Sequence, residues 1–195
     1  TQFLAPDTNP RTDAYGGDLV GRARLLRETV RAVRAATSPG FAVGVRISPV
    51  DARTRRGLVL DDSLQVGEWL AEDGVDFVHL SLQQAVCVPP FEPAKPAVVT
   101  AFRDRLPASV AVWTVGGIWT AAAAEHARAA GGDVVVVGKA GIVHPDWPVA
   151  AVRPGFVPSR PPWTLAQLAA VDVSEAFRTY LLRFPGLVEG GAPPR

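Results

Sequence analysis

Apolar residues recur along this chain with two alternating periods. Leu19, Ala23, Leu26, Val30 and Val33 stand at helical spacing, with Asp18 placed to cap the helix after Gly16 and Gly17. Ser38-Pro39-Gly40 stops that helix. Residues 42–48 (AVGVRIS) then read as a strand, followed by a polar loop through Arg56-Gly57. Asp61 or Asp62 can cap a second helix that buries Val66, Trp69 and Leu70 and stops at Gly74. A second strand over 75–80 leads through a loop containing Pro89, Pro90, Pro93 and Pro96. The helix after it carries Val98, Phe102 and Leu106 on one face. A third strand, 110–115, runs into Gly116-Gly117, and an alanine-rich helix ends at Gly131-Gly132. The fourth strand, 134–137, is uninterrupted valine, the pattern of a strand buried on both faces of a parallel sheet. It ends at Gly138-Lys139. One or two short helices near 146–152, a Pro-rich link over 153–162, a helical stretch over 165–182 and a polar, frayed end at 190–195 complete the reading.

One helix followed by four β-α units defines a parallel α/β architecture. A complete (β/α)8 barrel takes about 250 residues and eight strands. Four strands are legible here, so half a barrel and an open four-stranded sheet both satisfy the pattern. The organisation divides at the Pro-rich link into residues 1–152 and a helical tail, 153–195.

Composition narrows the class. Of the 195 residues, 48% are hydrophobic and 20% charged, enough apolar material for a globular domain and too little charge for a disordered one. The net charge of +1 points to neither nucleic acid nor an anionic membrane. Arg22, Arg24, Arg27, Arg31 and Arg34 fit the wet face of the first helix. A single cysteine, Cys87, leaves no internal disulfide and suits a reducing compartment. No apolar run approaches the roughly 18 residues of a membrane span, and no signal-peptide pattern opens the chain. A cytoplasmic location is the expectation. The chain begins at Thr1 and contains no methionine, which fits a start inside a larger reading frame.

The opening, TQFLAPDTNPRTDAYGG, resembles a segment of the Old Yellow Enzyme family of NAD(P)H:flavin oxidoreductases. Asn9, Arg11, Thr12, Asp13, Tyr15, Gly16 and Gly17 reproduce its N-x-R-T-D-x-Y-G-G pattern. The likeness continues through Arg22-Ala23-Arg24, Gly44-Val45-Arg46-Ile47-Ser48, Val115-Gly116-Gly117-Ile118 and Val137-Gly138-Lys139, with Pro145 downstream. It covers about residues 1–152. The tail around Phe177, Tyr180, Leu181, Pro185 and Gly186 also looks like that of some bacterial members.

The resemblance implies the C-terminal half of a TIM (β/α)8 barrel, with these four strands as strands five to eight. It implies FMN as cofactor, NAD(P)H as reductant and a small-molecule electron acceptor. It also implies that strands one to four would carry the flavin O4 contact, a His-His or His-Asn pair for the substrate and a proton-donating tyrosine, all outside this chain.

In a barrel the C-terminal ends of the strands face the site. The resemblance sets Arg46 against the pyrimidine edge of the flavin, where a fixed positive charge favours the anionic reduced form. On its residues alone, Arg46 is equally an arginine paired with a carboxylate such as Asp76. Gly116-Gly117 and Gly138-Lys139 follow strands seven and eight, whose loops commonly hold phosphate. Turn geometry alone also explains glycine pairs. Occurring together where a barrel needs them, they make Gly116, Gly117, Gly138 and Lys139 the expected phosphate contacts. Lys139 departs from the family's usual arginine and keeps the charge without the bidentate fork. Gly21 departs from an asparagine often found there.

His79 can line the substrate side or pack as a strand residue. His126 reads as exposed on its helix, and His144 as a phosphate neighbour or merely a polar loop residue. They lie on separate units and suggest no metal triad. Tyr15 reads as structural, and nothing argues for a reactive Cys87.

Three functions fit: an FMN-dependent NAD(P)H oxidoreductase of ene-reductase type present as a truncated or split half, a non-catalytic half-barrel remnant, or an interaction subunit completing a barrel with a separate N-terminal half. A half barrel leaves both outer strand edges unpaired, and such edges recruit another chain. A homo-oligomer or a complex with the missing N-terminal half is therefore expected.

Overall fold

A computed structural model describes residues 1–51 and 57–192. Residues 52–56 of the expected polar loop and 193–195 of the end expected to fray over 190–195 lie outside these described residues. The element order is α1 (Leu19–Ala36), β1 (Gly44–Ile47), α2 (Leu60–Glu72), β2 (Phe77–Ser81), α3 (Val98–Arg105), β3 (Ala111–Val115), α4 (Ala121–Ala129) and β4 (Val134–Val136). Four short helices follow: α5 (Lys139–Val143), α6 (Trp147–Ala150), α7 (Leu165–Ala170) and α8 (Glu175–Leu181). The four strands form one parallel sheet in the order β1-β2-β3-β4.

The chain divides into two compact units, one of residues 1–117 and 125–136, the other of residues 118–124 and 137–195. The first contains the whole sheet and α1 to α3. Strand alternation sorts its side chains between two faces. Val45, Ile47, Val78, Leu80 and Val112 belong to one apolar core with Leu60, Leu64 and Leu70 of α2 and Val98, Val99 and Phe102 of α3. Burying each of the larger of these side chains stabilises the fold by roughly 1.5–3 kcal/mol.

The other face of the sheet is open. It carries Gly44 and exposed Arg46 on β1, half-buried Phe77, His79 and Ser81 on β2, half-buried Trp113 and Val115 on β3, and exposed Val134 on β4. Phe77 and Trp113 stack on this face with ring centroids 4.0 Å apart. A Cβ on Gly44 would lie 2.3 Å from the Phe77 ring, so glycine is what lets that ring lie down. The all-valine β4 is therefore not buried on both faces, as its composition predicts. It is an edge strand, and 37% of Val134 is exposed.

Local signals agree with the elements in most places. Asp18 caps α1 by accepting from the Gly21 amide at 2.8 Å. A Cβ at Gly21 would stand 2.1 Å from the Gly16 carbonyl oxygen, which accounts for glycine where the family often has asparagine. Asn9 of the opening motif is buried and donates from Nδ2 to the carbonyls of Phe3 and Tyr15, at 2.7 and 2.8 Å. It knots the loop that precedes α1. Tyr15 keeps its structural reading, its hydroxyl against Glu28.

Four readings change. Arg22 is buried, not wet: it donates to the Leu4 and Gly17 carbonyls and to Asp62 at 2.7, 2.8 and 2.9 Å. Val33, placed on the buried side of that helix, is 41% exposed. Val59 rather than Asp61 or Asp62 stands at the N-cap of α2, and the two aspartates fall in its first turn. The helical stretch at 165–182 is broken at Asp172, whose φ is +59°, giving two capped helices, α7 from Thr164 and α8 from Ser174. The second unit packs its core around fully buried Trp163 with Val143, Leu168, Leu181 and Val188.

Arg27 and Arg31 of α1 both donate to the buried carboxylate of Asp73 at the end of α2, at 2.6 and 2.7 Å. Burial pushes this carboxyl up, but the hydrogen bonds from Arg27 and Arg31 outweigh it and hold it below the ordinary 3.8. A depressed folded-state value contributes stability above the unfolded value and loses it as pH falls through the folded one. Asp73→Asn should cost about 1–3 kcal/mol at pH 7, since it leaves hydrogen bonds to charged groups unmade. Urea denaturation should show the variant and the wild type converging below pH 3.8; an equal gap at both pH values would contradict this role.

Candidate functional site

The C-terminal ends of β1 and β2 border a cavity of about 620 Å³ whose lining includes Ser48, Asp51, Ser81, Gln83, Gln84 and Cys87. Next to it the open sheet face sets Arg46 opposite His79, and His79 opposite Trp113. The Arg46 guanidinium donates from Nη2 to Ser81 Oγ at 2.9 Å and makes no ion pair among the described residues.

The alternative partner for Arg46 is engaged elsewhere. Asp76 accepts from the Val43 amide at 2.7 Å and from Arg34 at 3.0 Å, at the N-terminal side of the sheet. The Val43 hydrogen bond is the main reason its carboxyl lies below the usual range, with Arg34 adding to it against the effect of burial. Arg46 is thus a cation without a carboxylate partner among the described residues, on an open surface.

His79 sits in the same row. Its Nε2 is buried without a hydrogen-bond partner, and its ring lies 6.1 Å from that of Trp113. Burial, and then the charge of Arg46, hold its pKa below the ordinary 6.5. Both effects favour the neutral imidazole beside the Arg46 charge.

Gly116 and Gly117 lie immediately after β3 with φ of +132° and +64°, values that side chains rarely adopt. A Cβ on Gly116 would stand 2.6 Å from the Leu82 carbonyl oxygen, and one on Gly117 would stand 2.2 Å from Gln84 Oε1. The Ala85 amide donates to the Gly116 carbonyl at 2.9 Å. The turn and the close approach of the loop after β2 are therefore sufficient to require both glycines. Gly138 and Lys139 belong to the second unit. Gly138 stands at the N-cap of α5 with no side-chain cap, and a Cβ there would meet nothing within 4 Å. Lys139 is exposed and makes no ion pair among the described residues.

The remaining candidates are quieter. His144 Nε2 accepts from the Ser159 amide at 2.9 Å, and His144 packs edge-on to Phe156. His126 is exposed on α4. The Cys87 thiol is pushed up by burial, which suits an unreactive side chain. No group of three or more His, Cys, Asp or Glu able to hold a metal occurs among the described residues. Nor is any of their helices long and apolar enough to cross a membrane. Ser81 and Gln84 were not singled out by their sequence, although alternation along FVHLS already sets Ser81 on the face of His79.

The parallel α/β fold is similar to part of larger, TIM-barrel-like solved structures. The structure of morphinone reductase in complex with tetrahydroNAD matches at a TM-score of 0.63 and 26% identity, over 86% of this chain and 43% of that one. The model of the NADH:flavin oxidoreductase / NADH oxidase family matches residues 1–153, and the chain belongs to that family, the one resembled by its opening motif. Its relatives include an NADPH dehydrogenase of Bacillus licheniformis, 33% identical over 78% of this chain and 44% of that protein. An NADH oxidase of Thermoanaerobacter brockii is 32% identical over 77% and 24%. An NADH:fumarate oxidoreductase of Klebsiella pneumoniae is 33% identical over 75% and 16%. The chain spans less than half the length of each of these relatives.

Proton NMR should find the His79 ring titrating below 6.5, with the midpoint rising in Arg46→Ala yet staying depressed, because burial is the larger cause. An unmoved midpoint would separate the two side chains.

Proposed function

We propose that this chain is the C-terminal half, strands five to eight, of an FMN-dependent NAD(P)H oxidoreductase barrel. Arg46 is the observation that carries the reading: an exposed guanidinium without a carboxylate partner among the described residues, near the C-terminal end of its strand, on the face that a closed barrel would enclose. Its planar donors suit the acceptor-rich pyrimidine edge of a flavin. Gly116 and Gly117 in the first unit, through backbone N–H groups, and Gly138 and Lys139 in the second, through a backbone N–H and a point charge, are each proposed as phosphate contacts. Gly138 fits that role, since the space where its side chain would lie is open.

When bound, FMN would take hydride from NAD(P)H and deliver it to a small-molecule acceptor. The chain's own contribution is electrostatic: a fixed cation placed where the reduced ring carries negative charge stabilises that form without reorganisation. Trp113, Phe77 and neutral His79 supply the apolar surroundings in which such a charge is effective. The unpaired edges of β1 and β4 and the open face make a barrel-completing partner part of the proposal, either an N-terminal half or a second copy.

A non-catalytic remnant is the second reading. It draws on Gly116 and Gly117, whose packing explains them without a phosphate, and on lysine in place of arginine at 139.

The visible spectrum and flavin fluorescence of the purified chain titrated with FMN separate the two. The oxidoreductase reading predicts a perturbed flavin spectrum and a saturable Kd. Arg46→Ala and Lys139→Ala should each weaken binding by about 10-fold, and Lys139→Arg should strengthen it. Binding unchanged in both alanine variants would sink the assignment of the site.

A further inference from the structure

The open face of the sheet holds one contact that the flavin reading leaves unused. Ser81 stands one pleat beyond His79 on β2, and its Oγ accepts from Arg46 Nη2 at 2.9 Å. Ser81 also lines the cavity at the strand ends, beside Ser48 and Gln84. It is therefore the residue that joins the guanidinium to the cavity wall. His79, in register with Arg46, makes no hydrogen bond to it among the described residues, and its Nε2 is buried without a partner there. No carboxylate among the described residues pairs with Arg46, and Asp76 is held by Val43 and Arg34.

A serine hydroxyl has one donor and two acceptor lone pairs. Receiving Arg46 occupies one lone pair and leaves the O–H to donate. An exposed arginine without such an anchor samples many rotamers, and its planar fork gains directional value only when one edge is fixed.

We propose that Ser81 is a positioning residue for Arg46. Its hydroxyl fixes one edge of the guanidinium, and its remaining O–H donates alongside Arg46 to the same ligand edge. The ligand class this implies is a planar ring with adjacent acceptor atoms. Its identification as a flavin rests on the reading above, whereas the anchoring of Arg46 does not.

Two readouts on the full chain test this. The first needs no ligand: ¹⁵N NMR of the arginine guanidinium groups, with the Arg46 signals assigned by their loss in Arg46→Lys. Restricted rotation about the Cζ–Nη2 bond should be present in the wild type, lost in Ser81→Ala and retained in Ser81→Thr. Equal rotation rates in all three would overturn the proposal. The second is titration with riboflavin, which has no phosphate and so reports the ring contacts alone. Ser81→Ala should weaken it by about 10-fold and Ser81→Thr by less than about 2-fold, the range of a hydrogen bond to a charged group. Full riboflavin affinity in Ser81→Ala would refute the donor role. Wild-type chain that binds no riboflavin, yet shows a Ser81-dependent Arg46 rotation, would remove the flavin reading and uphold the anchoring.

Discussion

One-sided packing of the parallel sheet is the constraint on which the rest of this chain depends. Val45, Ile47, Val78, Leu80 and Val112 are buried with the helices, and that union supplies the main apolar core. The same strands, with a side-chain period of two, must then present every alternate residue to the opposite side. What stands there is mixed: a stacked Phe77–Trp113 pair, a histidine with an unsatisfied nitrogen, an arginine without a carboxylate partner among the described residues, and small hydroxyl residues. A face made only for solvent would not carry two stacked rings, and a face made only for packing would not carry Arg46. Both kinds of residue make sense together where a face is to be covered by something with a polar edge.

Much of this was legible in the sequence. The β-α spacing predicts the parallel sheet, Asp18 predicts the α1 cap, and the opening motif places the chain in its family, which the match over residues 1–153 establishes. The place of Arg46 on its strand was legible as well, within β1. The failures have a common origin in partners distant along the chain. Arg22 carries the composition of a wet helix face, and only Asp62, forty residues away, together with two loop carbonyls makes its burial tolerable. The valines of β4 read as doubly buried because composition reports affinity for apolar surroundings, not whether a neighbouring layer is present. Asp172, with its left-handed backbone, divides a stretch whose hydrophobic spacing is continuous.

The candidate site divides along the same line. Gly116 and Gly117 are required by a turn and by the loop after β2, so their presence speaks first for local geometry. Gly138 has no such local requirement, and Lys139 is free of ion pairs among the described residues. Function is thus argued most strongly from the residues that packing does not explain, namely Arg46, Gly138 and Lys139. Family membership sets the class of chemistry proposed for this chain.

The central claim is that the open sheet face, and not the helical one, is where a flavin meets this chain. Amide and side-chain chemical shifts recorded during FMN addition test it most directly. The account predicts that Arg46, His79, Ser81 and Trp113 move together and saturate at one Kd while the outer surfaces of α1, α2 and α3 stay still. Shifts confined to the helices, or no saturable shift on the open face, would contradict it.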